Sequence, residues 1–168
     1  MAADPCADAQ TLYDSGHYAE AVERLRAMAG GDAAPPRAMV LLARSLANQG
    51  KLPEALVWAD RLLVAEKLNP LAHYLHATIL QERGEVGGAV RDLQRAVYLD
   101  QDFVLAHFAL GHLARGSHRE REAERHFATA AQLLRGHRQD EILPESDGIT
   151  AGRLAEIIDA MRDETTAA

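Results

Sequence analysis

Small apolar residues recur along the chain with a constant spacing of 34 residues. The clearest column holds an alanine in four successive copies, at Ala21, Ala55, Ala89 and Ala123. Twelve residues earlier a second small column holds Ala9, Ala43, Ala77 and Gly111, and five residues earlier a turn column holds Gly16, Gly50, Gly84 and then His118. A period of this length indicates a repeat architecture in which each copy is one supersecondary unit.

Each copy predicts a helical hairpin. The two small columns let antiparallel helices approach closely, and the glycine between them ends the first helix at positive φ. The predicted pairs are 5–15 with 18–29, 37–49 with 52–65, 70–83 with 86–99, and 104–116 with 119–135. Pro36 and Pro70 fall at helix starts, where proline is favoured, and 30–36 is predicted as the loosest linker.

This pattern resembles the tetratricopeptide repeat, whose period is 34. The copy that matches best is Ala106–Gly111 followed by Ala123, Phe127 and Ala130. The resemblance implies an all-α solenoid, a right-handed superhelix of antiparallel helix pairs, with four hairpins over 1–135. The first hairpin is expected to be irregular, because Asp8 stands where the repeat has leucine.

The period stops after residue 135. Residues 136–149 are predicted as a loop, 150–163 as a C-terminal capping helix and 164–168 as a disordered tail. Thr150 is a suitable N-cap, and Leu154, Ile157, Ile158 and Met161 follow at the spacing of one helix face. Such a helix covers the open end of a repeat array; the alternative is that it lies in the ligand groove and competes with a ligand.

The sequence from Leu143 to Leu154, LPESDGITAGRL, looks like the segment that follows the repeats in bacterial chemotaxis-receptor methyltransferases of the CheR type. That resemblance implies the non-catalytic repeat region of a cytoplasmic, bacterial protein-glutamate methyltransferase. The implied partners are a chemoreceptor, a response-regulator-type signalling protein or the parent methyltransferase domain. The glycine-rich loop for S-adenosylmethionine is missing, so the cofactor would belong to a parent catalytic domain, and this chain is predicted to be no enzyme.

Composition narrows the function classes. The chain has 168 residues, of which 48% are hydrophobic and 5% aromatic, with a net charge of -7 and a pI of about 5.6. An acidic chain repels phosphate, which argues against nucleic-acid binding. No apolar run is long enough for membrane insertion, and the start Met1–Pro5 lacks the features of a signal peptide, so a cytoplasmic location is expected. Cys6 is the single cysteine, which excludes an internal disulfide, and the neighbouring Asp4 and Asp8 argue against a catalytic thiol.

By register with the repeat family, the first helix of each hairpin contributes residues to a concave groove that binds protein. The candidate groove residues are Arg37, Val40, Arg44, Asn48, Tyr74, Thr78, Gln81, Phe108, His112 and Arg115, with Gln10 and Tyr13 in the first copy. Arginines, amides and aromatics suit an extended peptide with carboxylates and a few apolar anchors. The alternative is that these are solvated residues of exposed helices. The residues do not match the carboxylate clamp of heat-shock co-chaperones.

Histidines and a charge run supply the other candidates. His73 and His76 have metal-compatible spacing, but the sequence shows no adjacent carboxylate pair to complete a site. Packed histidines are therefore favoured for His73, His76 and His107, with a pH-sensitive cluster as the alternative. The run 119–126 predicts an exposed helix face with i,i+4 ion pairs, or else a convex docking surface.

Two functions stay open from the sequence. The first is the protein-binding region of a chemosensory methyltransferase. The second is an assembly scaffold, unrelated to methylation, that self-associates through an open N-terminal end. Their discriminator is whether Leu12, Leu25 and Met28 pack within one chain or stay exposed.

Overall fold

The computed structural model describes residues 4–29 and 34–166, and within these ranges the chain forms nine α-helices. They are α1 (Pro5–Asp14), α2 (Tyr18–Ala29), α3 (Pro36–Asn48), α4 (Leu52–Ala65), α5 (Pro70–Glu82), α6 (Val86–Leu99), α7 (Val104–Gly116), α8 (Glu120–Leu134) and α9 (Ala151–Thr166). The helices pack in consecutive pairs, as the 34-residue period predicts. Residues 30–33 of the predicted linker lie outside the described residues.

The turn inside each hairpin uses left-handed backbone at the same column. Gly16, Gly50 and Gly84 have φ of 78°, 73° and 80°, and His118 has φ of 57°. Glycine adopts this conformation without steric cost, whereas a residue with a Cβ loses about 1 kcal/mol or more. The fourth turn therefore keeps the geometry of the other three at the expense of backbone strain.

The helices fall into two compact units, which are Met1–Arg95 and Ala96–Ala168. In the first unit each helix from α1 to α5 packs on the next, and α3 also contacts α1 and α5. Its core lies between these helices and includes fully buried leucines at positions 25, 42, 46 and 62.

The first hairpin is regular, which corrects the sequence-based expectation. Cys6, Ala9 and Tyr13 of α1 are buried and belong to the same core as α3. Asp8 is tolerated because it lies partly exposed, 3.9 Å from the guanidinium of Arg24. The column that holds Leu42, His76 and Leu110 in the later copies is therefore a surface position in this one.

In the second unit α7 packs on α8, and α8 packs on α9. Gly111 of α7 lies against the buried ring of Phe127 on α8, and a Cβ at Gly111 would stand 2.7 Å from two ring carbons. The column that holds alanine in the other three copies therefore holds glycine in this copy, because the residue that faces it across the hairpin is a phenylalanine.

The segment that resembles the methyltransferase tail is a compact loop that positions α9. Ile142 and Thr150 form an antiparallel bridge, and the buried Ser146 hydroxyl contacts the carbonyl oxygens of Leu143 and Ile149 at 2.7 and 3.0 Å. Thr150 Oγ1 accepts a hydrogen bond from the backbone N–H of Arg153 and caps the helix. These residues therefore have a local structural role.

The last helix is longer than the sequence predicts. Leu154 and Ile158 are buried on its inner face, and the helix ends at Thr166. Positions 164–166, assigned to a disordered tail from the sequence, are thus helical, while 167 and 168 lie outside the described residues. The helix continues because the bidentate bond from Arg162 to Glu124 of α8, at 2.6 and 3.0 Å, holds its last turns.

Candidate functional site

The best-organised polar surface of the first unit joins α1 and α3. The guanidinium of Arg44 lies 4.7 Å from the centre of the Tyr13 ring, and the Asn48 amide donates to the Tyr13 hydroxyl at 3.0 Å. Tyr13 is buried, Arg44 is half-buried and Asn48 is exposed. A cation held on an aromatic ring and an ordered amide present fixed hydrogen-bonding groups to solvent. We call Tyr13, Arg44 and Asn48 the tyrosine cluster.

The other candidates of this unit lie on α3 and α5 beside the tyrosine cluster. Arg37 pairs with Asp4 at 3.2 Å, and Val40 is half-buried against the core. Tyr74, Thr78 and Gln81 are all partly exposed on α5, which contacts α3. The Thr78 hydroxyl donates to the Leu75 carbonyl at 2.8 Å. The structure thus brings seven of the ten predicted groove residues onto two neighbouring helices.

The remaining three candidates lie on α7 in the second unit. Phe108 stacks on His112 with ring centres 6.5 Å apart and also contacts Phe127. Arg115 is paired with Glu164 of α9 at 3.1 Å. The C-terminal helix therefore engages one predicted binding residue, so Arg115 meets a carboxylate of its own chain.

His76 lies between two carboxylates on other helices. Its Nδ1 is 2.5 Å from Asp92 Oδ2 on α6, and its Nε2 is 3.1 Å from Asp60 Oδ1 on α4. Burial lowers the pKa of His76, but the hydrogen bond and charge of Asp92, together with Asp60, outweigh burial and raise the pKa above 6.5. Burial likewise raises the pKa of Asp92, and its contacts with His76 and His73 reverse this and lower it. We call His73, His76, Asp60 and Asp92 the acidic histidine cluster.

The acidic histidine cluster brings together two carboxylates, Asp60 and Asp92, that are not adjacent to these histidines in the sequence. His73 joins it through Nδ1, 3.5 Å from Asp92 Oδ1, while its Nε2 bonds to the Lys67 carbonyl at 3.0 Å. The column register does predict the meeting. Asp92 follows Ala89 by three residues, His76 precedes Ala77 by one, and these alanine columns face each other in an antiparallel hairpin.

The equivalent position of the second unit holds two histidines. His107 Nδ1 is 3.2 Å from His126 Nδ1, and His107 Nε2 bonds to the Gln101 carbonyl at 2.9 Å. Burial lowers the pKa of His126, and the nearby charges of His107 and Arg125 lower it further. We call His107 and His126 the histidine pair.

The charge run 119–126 is partly exposed, but its ion pairs differ from the prediction. Arg119 pairs with Glu122 at i,i+3, and Glu124 pairs with Arg162 of α9. The run therefore contributes to the docking of α9 rather than to i,i+4 pairs along one helix.

An apolar surface that sequence reasoning missed lies on α4. Val57 and Val64 are 49% and 73% exposed, and Leu68 just after the helix is 72% exposed. Trp58 lies beside them with the Arg61 guanidinium 4.7 Å from its ring centre. A cavity of about 440 Å³ adjoins this surface and is lined by residues that include Ala34, Met39, Trp58 and Val64. The seven-residue spacing of Val57 and Val64 is the sequence signal for this surface.

Within the described ranges, no group of three or more His, Cys, Asp or Glu is arranged to hold a metal ion. Nor does any described helix have the length and hydropathy needed to cross a bilayer. Cys6 is buried and unpaired by any disulfide.

Comparisons with known proteins agree with a fold built from repeated helix pairs. A sequence profile described as tetratricopeptide repeat matches residues 12–79, from α1 into α5. No curated protein matches the chain in a sequence search.

Solved structures of MamA resemble the chain in fold. One has a TM-score of 0.69 at 15% identity and covers all of both chains, and a second has 0.68 at 16%, covering 95% of this chain and 82% of that one. A MamA structure from strain AMB-1 has a TM-score of 0.64 at 18% identity, with coverage of 80% and 73%. The chain is therefore an all-α protein of helix pairs with a tetratricopeptide-repeat-like fold, similar to that of MamA.

Proposed function

We propose that this chain is a protein-binding scaffold module and that the surface of α1, α3 and α5 around the tyrosine cluster holds its partner. The observation that carries the proposal is the order imposed on Arg44 and Asn48 by Tyr13. A preorganised cation and amide lose little conformational entropy when they bind, and Arg and Tyr are enriched among residues that dominate interface energy. The tetratricopeptide-repeat-like fold supports the same class of function.

The ligand chemistry that fits this surface is an extended peptide with a carboxylate for Arg44. Arg–carboxylate contacts are strong because they are charge-assisted and can be bidentate. The half-buried Val40, four residues before Arg44 on α3, and the partly exposed Tyr74 on α5 supply apolar contacts.

The test pairs two charge reversals within the first unit. Arg44→Glu alters the proposed surface, whereas Arg91→Glu makes the same change at an exposed position of α6. The two variants and the parent protein each serve as bait. Partners that they capture are cross-linked to the bait, and the captured peptides are then identified. Loss of a specific partner with Arg44→Glu and retention with Arg91→Glu supports the proposal. Equal retention by both variants places binding elsewhere.

The chemosensory partner implied by residues 143–154 is a specific version of this proposal. Those residues form the end of the loop before α9 and the first turn of that helix, so their local role in the fold accounts for the motif without a methyltransferase. A purified receptor cytoplasmic domain and a methyltransferase catalytic domain provide direct probes. Saturable binding of either one, lost in Arg44→Glu, supports this version, and no binding at high micromolar concentration counts against it.

A second candidate is self-association as an assembly scaffold, favoured by the exposed apolar surface of α4. Apolar side chains this exposed mark interaction surfaces when they lie together. The N-terminal route expected from the sequence has little support, because Leu25 is fully buried and Leu12 and Met28 are half-buried within the chain.

Sedimentation equilibrium over a range of concentrations separates the two routes. If the α4 surface joins copies of the chain, Val64→Glu reduces the average mass to that of the monomer of 18.3 kDa. Ala27→Glu, at an exposed position of α2, is the matched control. A parent protein that is monomeric at all concentrations removes self-association as a function.

A further inference from the structure

The acidic histidine cluster and the histidine pair occupy equivalent places in successive repeats. His73 and His107 are 34 residues apart, and so are their backbone partners Lys67 and Gln101. The residue that faces them from the second helix of the hairpin is Asp92 in one repeat and His126 in the next. The same contact of the repeat is therefore made by a histidine and an aspartate in one copy, His73 with Asp92, and by two histidines in the next, His107 with His126. We call these the acidic version and the basic version.

The geometry of the acidic version requires a proton. A neutral imidazole carries one N–H, so it can donate only one hydrogen bond. Both ring nitrogens of His76 face carboxylate oxygens, at 2.5 Å from Asp92 and 3.1 Å from Asp60. Only the doubly protonated ring satisfies both contacts and joins α5 to α4 and α6.

The basic version has the opposite requirement. Because Nε2 of His107 bonds to a carbonyl oxygen, it carries the proton, and Nδ1 of the neutral ring is an acceptor. His126 must then donate from its own Nδ1 across 3.2 Å. A proton added to His107 Nδ1 places two N–H groups face to face, so the pair accommodates one positive charge and excludes two.

We propose that acidification acts with opposite sign on the two repeats: it strengthens the contacts of α5 with α4 and α6 in the first unit and weakens the contact of α7 with α8 in the second. This goes beyond protein binding, because the pH then changes the stability of one unit relative to that of the other. The determinants lie in two residue columns, which hold His76 and Asp92 in one repeat and Leu110 and His126 in the next.

The surrounding charges agree with this assignment. Around His76, α4 contributes Asp60, α6 contributes Asp92, and α5 itself contributes His73. Around His126, α7 contributes His107 and α8 contributes Arg125 and Glu122. From α9, Arg162 is engaged with Glu124, two residues earlier than His126 on α8.

The pH windows follow from the directions of the shifts. The raised pKa of His76 gives stabilisation that is complete below about pH 6.5 and is lost as the pH rises through the folded-state value. The pKa of Asp92 is lowered, so the stabilisation that its carboxylate contributes is lost as the pH falls through the folded-state pKa of Asp92. The contacts of His76 therefore weaken again at low pH. The lowered pKa of His126 gives stabilisation that is complete above about 6.5 and is lost as the pH falls below it.

Titration of the histidine Cε1–H signals by NMR in the full chain tests the proposal residue by residue. We expect His76 to titrate with a midpoint above 6.5 and His126 with a midpoint below it. Asp92→Asn keeps the shape of the side chain and removes its charge, and it should lower the His76 midpoint. His126→Asp places a carboxylate opposite His107, as Asp92 stands opposite His73, and removes the second imidazole of the pair.

Urea unfolding of the same proteins between pH 5 and 8 supplies a second readout. His126→Asp should reduce the loss of stability below pH 6.5, whereas His17→Gln, which removes an exposed histidine of the first hairpin, should leave the profile of the parent. A His76 midpoint at or below 6.5, or one that Asp92→Asn leaves unchanged, overturns the first half of the proposal. A His126 midpoint at or above 6.5, or a loss of stability below pH 6.5 that His126→Asp leaves unchanged, overturns the second half.

Discussion

The contact between Gly111 and Phe127 makes a sharp prediction about packing in the second unit. An alanine Cβ at 111 would stand 2.7 Å from two carbons of the Phe127 ring and 3.1 Å from a third. In the same two columns the first and third hairpins hold Ala9 with Leu25 and Ala77 with Leu93. Gly111→Ala should therefore be destabilising alone and tolerated together with Phe127→Leu.

The magnitudes follow from opposing effects. Gly→Ala inside a helix gains about 1 kcal/mol from propensity, while overpacking a buried site costs about 1–3 kcal/mol. We expect a net loss of about 1 kcal/mol for Gly111→Ala. Phe127→Leu alone should cost about 1–2 kcal/mol through lost burial and a residual cavity. In the double variant the clash is gone and the helix gain remains, so its stability should lie within about 1 kcal/mol of the parent.

The assay is urea unfolding of all four proteins, followed by far-UV circular dichroism at one pH. Gly116→Ala, in the same helix, is the matched control because a Cβ there meets no atom within 4 Å. It should be neutral or stabilising. The reasoning is refuted if the effects of Gly111→Ala and Phe127→Leu add to within about 0.5 kcal/mol, since uncoupled residues behave in that way.

Four further substitutions, each at a single position, give testable predictions. His118→Gly should raise the free energy of unfolding by about 1 kcal/mol because φ is 57° there, and Gly50→Ala should lower it by about as much; thermal unfolding measures both. Ser45→Ala should be neutral or stabilising by up to about 1 kcal/mol, since the Ser45 hydroxyl is buried without a hydrogen-bond partner; a large loss in urea unfolding would contradict this. Gly152→Ala should weaken the docking of α9, because its Cβ would stand 2.9 Å from the Gln139 carbonyl oxygen, and amide exchange in 151–166 should rise.

Much of the fold follows from the 34-residue columns. Small residues at Ala21, Ala55, Ala89 and Ala123 are all nearly or fully buried, and the turn column has positive φ in every copy. Periodicity reports burial and backbone conformation directly, so it predicts the helices well. Periodicity does not predict where a charged residue is tolerated in a repeat column because an oppositely charged side chain lies nearby, as Arg24 does beside Asp8.

The candidate site was less accessible from the sequence for a physical reason. Spacing predicts which helix face a residue lies on, and it placed Arg44 and Asn48 correctly on one helix. Contacts between other helices depend on side-chain reach, so the pairing of Arg115 with Glu164 and of His76 with Asp60 emerged only in three dimensions. The sequence predicts a loop at 136–149, but without a period after residue 135 it does not predict the compact structure of that loop around Ser146.

Hydrogen–deuterium exchange of the full chain, alone and with a captured partner, tests the central claim most directly. The account predicts slower exchange in α3 and α5, residues 36–48 and 70–82, with loss of that protection in Arg44→Glu and its retention in Arg91→Glu. Protection confined to α4 or α9, with α3 and α5 unchanged, would contradict the proposed binding surface.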